Sequence, residues 1–117
     1  MPGDRRHRPL KPDVFHLLLA LEDGGPCHGY ALLERIERAS EGRVRPAPSL
    51  LYRKLHRLLA DGLVAETGPP EASGDERRRY YGLTPLGTRV LRAEAARIVE
   101  LAASSRVQTL ARAGRRG

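Results

Sequence analysis

Cysteine is nearly absent from this 117-residue chain: Cys27 stands alone. One cysteine excludes an intrachain disulfide and any multi-cysteine zinc site. Long hydrophobic runs are also missing. The longest, Leu17 to Leu21, is far short of the roughly 20 apolar residues that span a bilayer. The start, Met1-Pro2-Gly3-Asp4-Arg5-Arg6, is basic, but no apolar signal-peptide core follows it. A cytoplasmic protein with no membrane partner is expected. There is no glycine-rich phosphate loop, no paired metal ligands and no Ser/His/Asp grouping. Cys27-His28 is the only adjacent pair of soft metal ligands, and His7, His16 and His56 lie in unrelated segments. No enzyme, metal site or cofactor is expected.

Acids are missing from one particular stretch. From Gly42 to Ala60 there are Arg43, Arg45, Arg53, Lys54 and Arg57, and no Asp or Glu. The whole chain has 21 Lys and Arg against 14 acids, for a net charge of +7. Such a balance favours a polyanionic partner. Only Lys11 and Lys54 are lysines, so arginine carries nearly all of the charge. At 40% hydrophobic residues the chain has the composition of a folding domain. Its length allows one modest core.

The pattern along the chain predicts a mainly α fold with a small β-hairpin. Residues 1–10 form a basic, proline-punctuated tail. Pro12-Asp13 opens a first helix with Val14, Leu17, Leu18 and Leu21 at helical spacing. Turn chemistry at Glu22-Asp23-Gly24-Gly25-Pro26 ends it. A second helix is expected from Gly29 to Ala39, with Tyr30, Leu33 and Ile36 on its inner face and Gly42 as its stop. A third starts at Pro48 or Ser49 and ends before Gly62. It buries Leu51, Leu55, Leu58 and Leu59, and turns Ser49, Arg53, His56 and Arg57 largely the other way. Leu63–Thr67 and Arg77–Leu83 read as two strands of a long hairpin, with Tyr81 in the core and Tyr80 at a boundary. Thr84-Pro85 then caps one unbroken helix from Pro85 to about Arg112. That helix would be on the order of 40 Å long. Residues 113–117 are expected to fray.

Three short helices followed by a hairpin make a winged helix-turn-helix, whose third helix enters the DNA major groove. Such a helix needs one greasy face to dock it and one polar face to meet DNA. Arginine can pair bidentately with guanine, and serine can hold phosphate. Arg43, Arg45, Ser49, Arg53, Lys54, His56 and Arg57 are therefore the candidate DNA contacts. Arg77, Arg78 and Arg79 on the wing either grip DNA or pair with Glu71, Asp75 and Glu76 nearby. His28-Gly29 reads as a helix-start device, and Tyr30 as a core residue.

Three stretches resemble the PadR family of bacterial transcriptional regulators. They are His28-Gly29-Tyr30, Pro48-Ser49-Leu50-Leu51-Tyr52-Arg53-Lys54-Leu55 leading to Asp61-Gly62-Leu63-Val64, and Arg78-Arg79-Tyr80-Tyr81-Gly82-Leu83-Thr84-Pro85-Leu86-Gly87. The resemblance covers roughly Leu10 to Leu101. It implies a dimeric winged-helix repressor whose C-terminal helix forms the dimer, as in the compact members with one such helix. It also implies that Tyr52 approaches the DNA backbone; the alternative is packing beside Leu55 and Leu59. One departure is Leu50, where a small or polar residue is common. Facing DNA, it could touch only thymine methyls or sugars.

The last helix bears two apolar stripes. Leu86, Val90 and Ala93 are expected to cover the helix's own domain. Leu91, Ala95, Ile98, Leu101 and Ala102 are then left for a partner chain. The domain plan is a winged helix-turn-helix over 11–84 and a dimerisation helix over 85–112. Expected partners are double-stranded DNA, a second copy of the chain and, compatibly, a small apolar effector in the dimer groove. A winged-helix adaptor that binds protein and not DNA is the alternative from a different class.

Overall fold

A computed structural model describes residues 9–68 and 79–116. Helix α1 (Pro12–Gly24) begins with proline at its first position, where the missing N–H costs nothing. It stops at Gly25, whose φ of 76° suits glycine, and whose N–H donates to the Leu21 carbonyl at 3.0 Å. Arg35 reaches back to close this end. Its Nη1 donates to the carbonyls of Gly25 (2.6 Å) and Ala20 (3.3 Å). A two-residue strand β1 (Cys27–His28) leads directly into α2 (Gly29–Ala39). The His28 Nδ1 accepts the Ala31 N–H at 3.2 Å, so His28 is the N-cap, a helix-start device.

Helix α3 (Pro48–Ala60) again opens on proline. Strands β2 (Val64–Thr67) and β3 (Tyr80–Leu83) follow, then α4 (Pro85–Ala103) and α5 (Ser105–Arg116). The sheet order is β1-β3-β2, antiparallel throughout. Cys27 pairs with Tyr81 on one edge, and Glu66 pairs with Tyr81 on the other. The core gathers Leu17, Leu18 and Leu21 from α1 and Leu32 and Ile36 from α2. Leu51, Leu55 and Leu58 from α3 join them, with Val64, Tyr81 and Leu91. Burial pushes the Cys27 thiol pKa up, so Cys27 stays a protonated core residue.

Several expectations need correction. The hairpin is a three-stranded sheet, because Cys27-His28 adds an edge that no sequence pattern of two residues could announce. That edge is why Tyr80 is buried and not at a boundary. The His28 ring packs edge-on against it, with centroids 5.6 Å apart. Tyr30 is not in the core. It is 67% exposed, because the inward row of α2 is Gly29, Leu32 and Ile36. The helix from Pro85 is not continuous to Arg112. It breaks at Ser104, whose ψ is 137°. The Ser104 Oγ accepts the Val107 N–H at 3.1 Å and so caps a new helix. Of the predicted strand Arg77–Leu83, residues 77 and 78 lie outside the described residues.

The stripes of α4 are also redrawn: Leu91, from the row expected at a partner, is in the core, while Ile98, Leu101 and Ala102 of that row stay exposed. Gly87, Leu91 and Glu94 are its buried row, whereas Leu86 is exposed and Val90 and Ala93 are half-buried. Gly87 sits inward because the Leu63 carbonyl occupies the space of any Cβ there. Thr84 fixes this approach. Its Oγ1 accepts the Gly87 N–H at 2.9 Å and donates to the Gly62 carbonyl at 2.6 Å.

Candidate nucleic-acid interface

Helix α3 carries the candidate interface, and its residues separate by angle. Leu51, Leu55 and Leu58 are buried, while Ser49, Leu50, Tyr52, Arg53, His56 and Arg57 are exposed. At about 100° per residue, three leucines spaced four and three apart point one way. The residues between them necessarily point elsewhere. The segment entering α3 adds exposed Arg43 and Arg45. It is shaped by a turn in which Ser40 Oγ accepts the Val44 N–H at 2.9 Å and Gly42 has φ 80°.

The arginines of this surface are only loosely held. Arg57 is 81% exposed, with Nε 3.4 Å from Asp61 one turn on. Arg45 Nε lies 3.2 Å from Glu37, also in solvent. Just ahead of β3, Arg79 donates to Glu66 of β2 at 3.1 Å. Exposed pairs of this kind contribute about 0–1 kcal/mol. Each arginine can therefore exchange its carboxylate for a phosphate at little cost.

Lys54 differs. Only 20% of its side chain is exposed, and its Nζ lies 2.7 Å from Oδ2 of Asp13 on α1. The hydrogen bond from Lys54 holds the Asp13 carboxyl below its ordinary pKa, against partial burial that pushes the other way. The structure thus turns Lys54 away from the remaining cations of α3.

Tyr52 lies over Gly29, where its ring fills the space that a Cβ would need. The structure joins it with His28, Gly29, Tyr30, Arg79 and Tyr81 around a cleft of about 240 Å³. The start of α2, the wing strand and α3 meet at this cleft. Tyr30 was missed as a surface residue. Arg77 and Arg78 lie outside the described residues.

Of the residues expected at a dimer surface, Leu91 does not qualify. It is 4% exposed and belongs to the core of its own domain. Ala95 is half-buried. Ile98, Leu101 and Ala102 are exposed, and Val99 joins them. On α5, Val107 and Leu110 are exposed as well. Sequence reading also missed Glu94, an acid that is 1% exposed. Arg97 donates to it twice, at 2.9 and 2.7 Å, and the Leu10 N–H donates to it at 3.2 Å.

Among the described residues, no helix is long and apolar enough to cross a membrane, and no group of three or more His, Cys, Asp or Glu could hold a metal ion.

Comparison with known proteins agrees with this geometry. The model of the transcriptional regulator PadR-like family matches residues 17–93. An uncharacterized 37.1 kDa protein in transposon TN4556 of Streptomyces fradiae is 44% identical over 79 residues, 68% of this chain. The chain spans only 21% of that relative's length. Among solved structures, a transcriptional regulator from Clostridium thermocellum, Cth-833, is 23% identical with a TM-score of 0.58. The match covers 78% of this chain and 85% of that one. F93 from STIV, a winged-helix DNA-binding protein, is 14% identical with a TM-score of 0.66, covering 82% of this chain and 97% of the other. At these identities the two structures establish the winged-helix fold.

Proposed function

Because the chain belongs to the PadR-like family of transcriptional regulators, we propose that it represses transcription as a homodimer bound to an inverted-repeat operator. The family supports a DNA-binding regulator; dimer, operator and repression are the finer reading. The observation that carries it is the division of α3 into an aliphatic inner face and an exposed face bearing Ser49, Arg53, His56 and Arg57. A helix about 10–12 Å across fits the major groove of B-DNA. Arg53 and Arg57 lie one turn apart and reach different positions. One of them reads a guanine, and the other holds phosphate. Arg43, Arg45, Tyr52 and the wing's Arg79 hold the flanking backbone.

Residues 11–84 act as the DNA-binding unit, and the helix beginning at Pro85 makes the dimer. Ile98, Val99 and Leu101, exposed along α4, support that reading. Two-fold symmetry then places two copies of α3 on successive half-sites, with centres about 34 Å apart or a multiple of that. A small apolar effector between paired α4 helices is compatible with the same surface.

The test is selection from a random DNA pool. An inverted repeat is expected. Loss of preference at one base pair should accompany Arg53→Ala or Arg57→Ala, at a cost of about 1–3 kcal/mol. Single, unrepeated sites would contradict the symmetric dimer, and unchanged preference in both variants would contradict base reading by these arginines.

A further inference from the structure

The long polar side chains of α3 divide unequally. Arg53, His56 and Arg57 are exposed, whereas Lys54 turns back across the domain to Asp13. Asp13 is itself a fixed point. It lies in the first turn of α1, and its Oδ1 accepts the Val14 N–H at 2.8 Å. The chain just ahead of that turn is pinned from α4, since the Leu10 N–H donates to the buried Glu94. Polar contacts therefore run from α4 through the first turn of α1 to the middle of α3.

We propose that Lys54 is a positioning residue and not a DNA contact: through Asp13 it fixes the rotation of α3, so that Arg53, His56 and Arg57 meet the groove together. The proposal rests on the DNA-binding reading above. The leucine row sets which face of α3 is inward, and the Lys54–Asp13 pair adds a directional contact beside it. A charge-assisted hydrogen bond is directional and selects one rotation. At 2.7 Å from a carboxylate, the ammonium is also neutralised, and it adds little net charge to the interface.

Asp13→Asn separates the two roles by sign. Were Lys54 a phosphate contact held back by Asp13, removing the acid would free a cation and tighten binding. A positioning role predicts the opposite: affinity for the selected operator falls about fivefold, with the slope of log affinity against log salt unchanged. Lys54→Met should give a similar loss, and the double variant should lose no more than about twofold beyond either single one. Arg43→Ala, in contrast, should flatten the slope by about 2, each protomer of a dimer losing one phosphate contact. Thermal unfolding of each variant reports whether it folds. The exchange of Asp13→Lys with Lys54→Asp rebuilds the pair in reverse and should return affinity to within about twofold of the unmodified protein. Tighter or unchanged binding by Asp13→Asn, a slope flattened by Lys54→Met, or failure of the exchanged pair in a folded protein would overturn the proposal. If the unmodified protein bound no DNA even at low salt, the DNA-binding reading would fail, and the proposal with it. Binding by the unmodified protein beside an unaffected Asp13→Asn would overturn the proposal alone.

Discussion

Helices α3 and α4 follow the same rule of amphipathicity but differ in what fills their inner faces. In α3 the inner face is leucine at 51, 55 and 58, and hydrophobicity points directly at the core. In α4 the inner row is glycine, leucine and glutamate, at 87, 91 and 94. A glycine faces inward there because backbone approaches it, and an acid because Arg97 and the Leu10 N–H satisfy it. Greasiness therefore marks an inner face only where side chains fill the contact. Where backbone or a satisfied charge fills it, the same reading misplaces residues such as Leu91.

The largest effect is expected at Gly87. Gly87→Val would drive a branched side chain into the Leu63 carbonyl and cost at least about 3 kcal/mol. Urea unfolding should show a protein that is largely unfolded or far weaker. A near-unchanged midpoint would contradict the close approach of α4 to the strand entry. Next are the two ends of one row of α4, buried Leu91 and exposed Ile98 and Leu101, which should respond in different ways. Leu91→Ala should cost about 2–4 kcal/mol of stability. The pair Ile98→Glu and Leu101→Glu should leave the protomer folded and abolish the dimer, removing roughly 3–6 kcal/mol of burial per chain. Sedimentation with circular dichroism checks both. A folded monomer from Leu91→Ala, or an intact dimer from the Glu pair, would reverse the assignment.

The two faces of α3 that make up the candidate site were legible because each of their signals is local. Pro48 marks the start, the leucines repeat at helical spacing, and no acid interrupts the cations. The rest was hidden for physical reasons. β1 is two residues long and exists only because β3 offers it an edge. The break at Ser104 depends on a side-chain oxygen capturing the Val107 N–H, a choice that an alanine-rich helical pattern conceals. Lys54 belongs by spacing to the basic run, and only the folded position of Asp13 reveals its ion pair. On α2, Leu32 and Gly29 face inward and Tyr30 does not, and Tyr52 covers Gly29 from the neighbouring helix.

Smaller effects sharpen the comparison further. Glu94→Gln should cost about 1–2 kcal/mol, because an amide can still accept the Leu10 N–H but loses the charge-assisted pair with Arg97. Arg57→Ala should change stability by under about 0.5 kcal/mol, since its partner Asp61 is exposed. The smallest effect concerns pH. The Asp13 carboxyl has its folded-state pKa lowered below 3.8, so its contribution is present above that value and lost as pH falls through the lowered one. Stability of the unmodified protein and of Asp13→Asn should therefore differ by a constant amount between pH 5 and 7 and converge only in acid. A difference that changed within the neutral range would contradict the pairing with Lys54.

The central claim is that the exposed arginines of α3 and its approach meet DNA phosphates. The direct test is operator affinity of the unmodified protein measured across a series of salt concentrations. With Arg43, Arg45, Arg79 and one of Arg53 and Arg57 doubled in a dimer, about 5–8 phosphate contacts are expected, and a log–log slope of about −5 to −7. Arg53→Ala and Arg57→Ala should each weaken binding, and the one that holds phosphate should make the slope shallower. A flat salt response, with both variants binding as the unmodified protein does, would contradict the account and favour a winged helix that binds another protein.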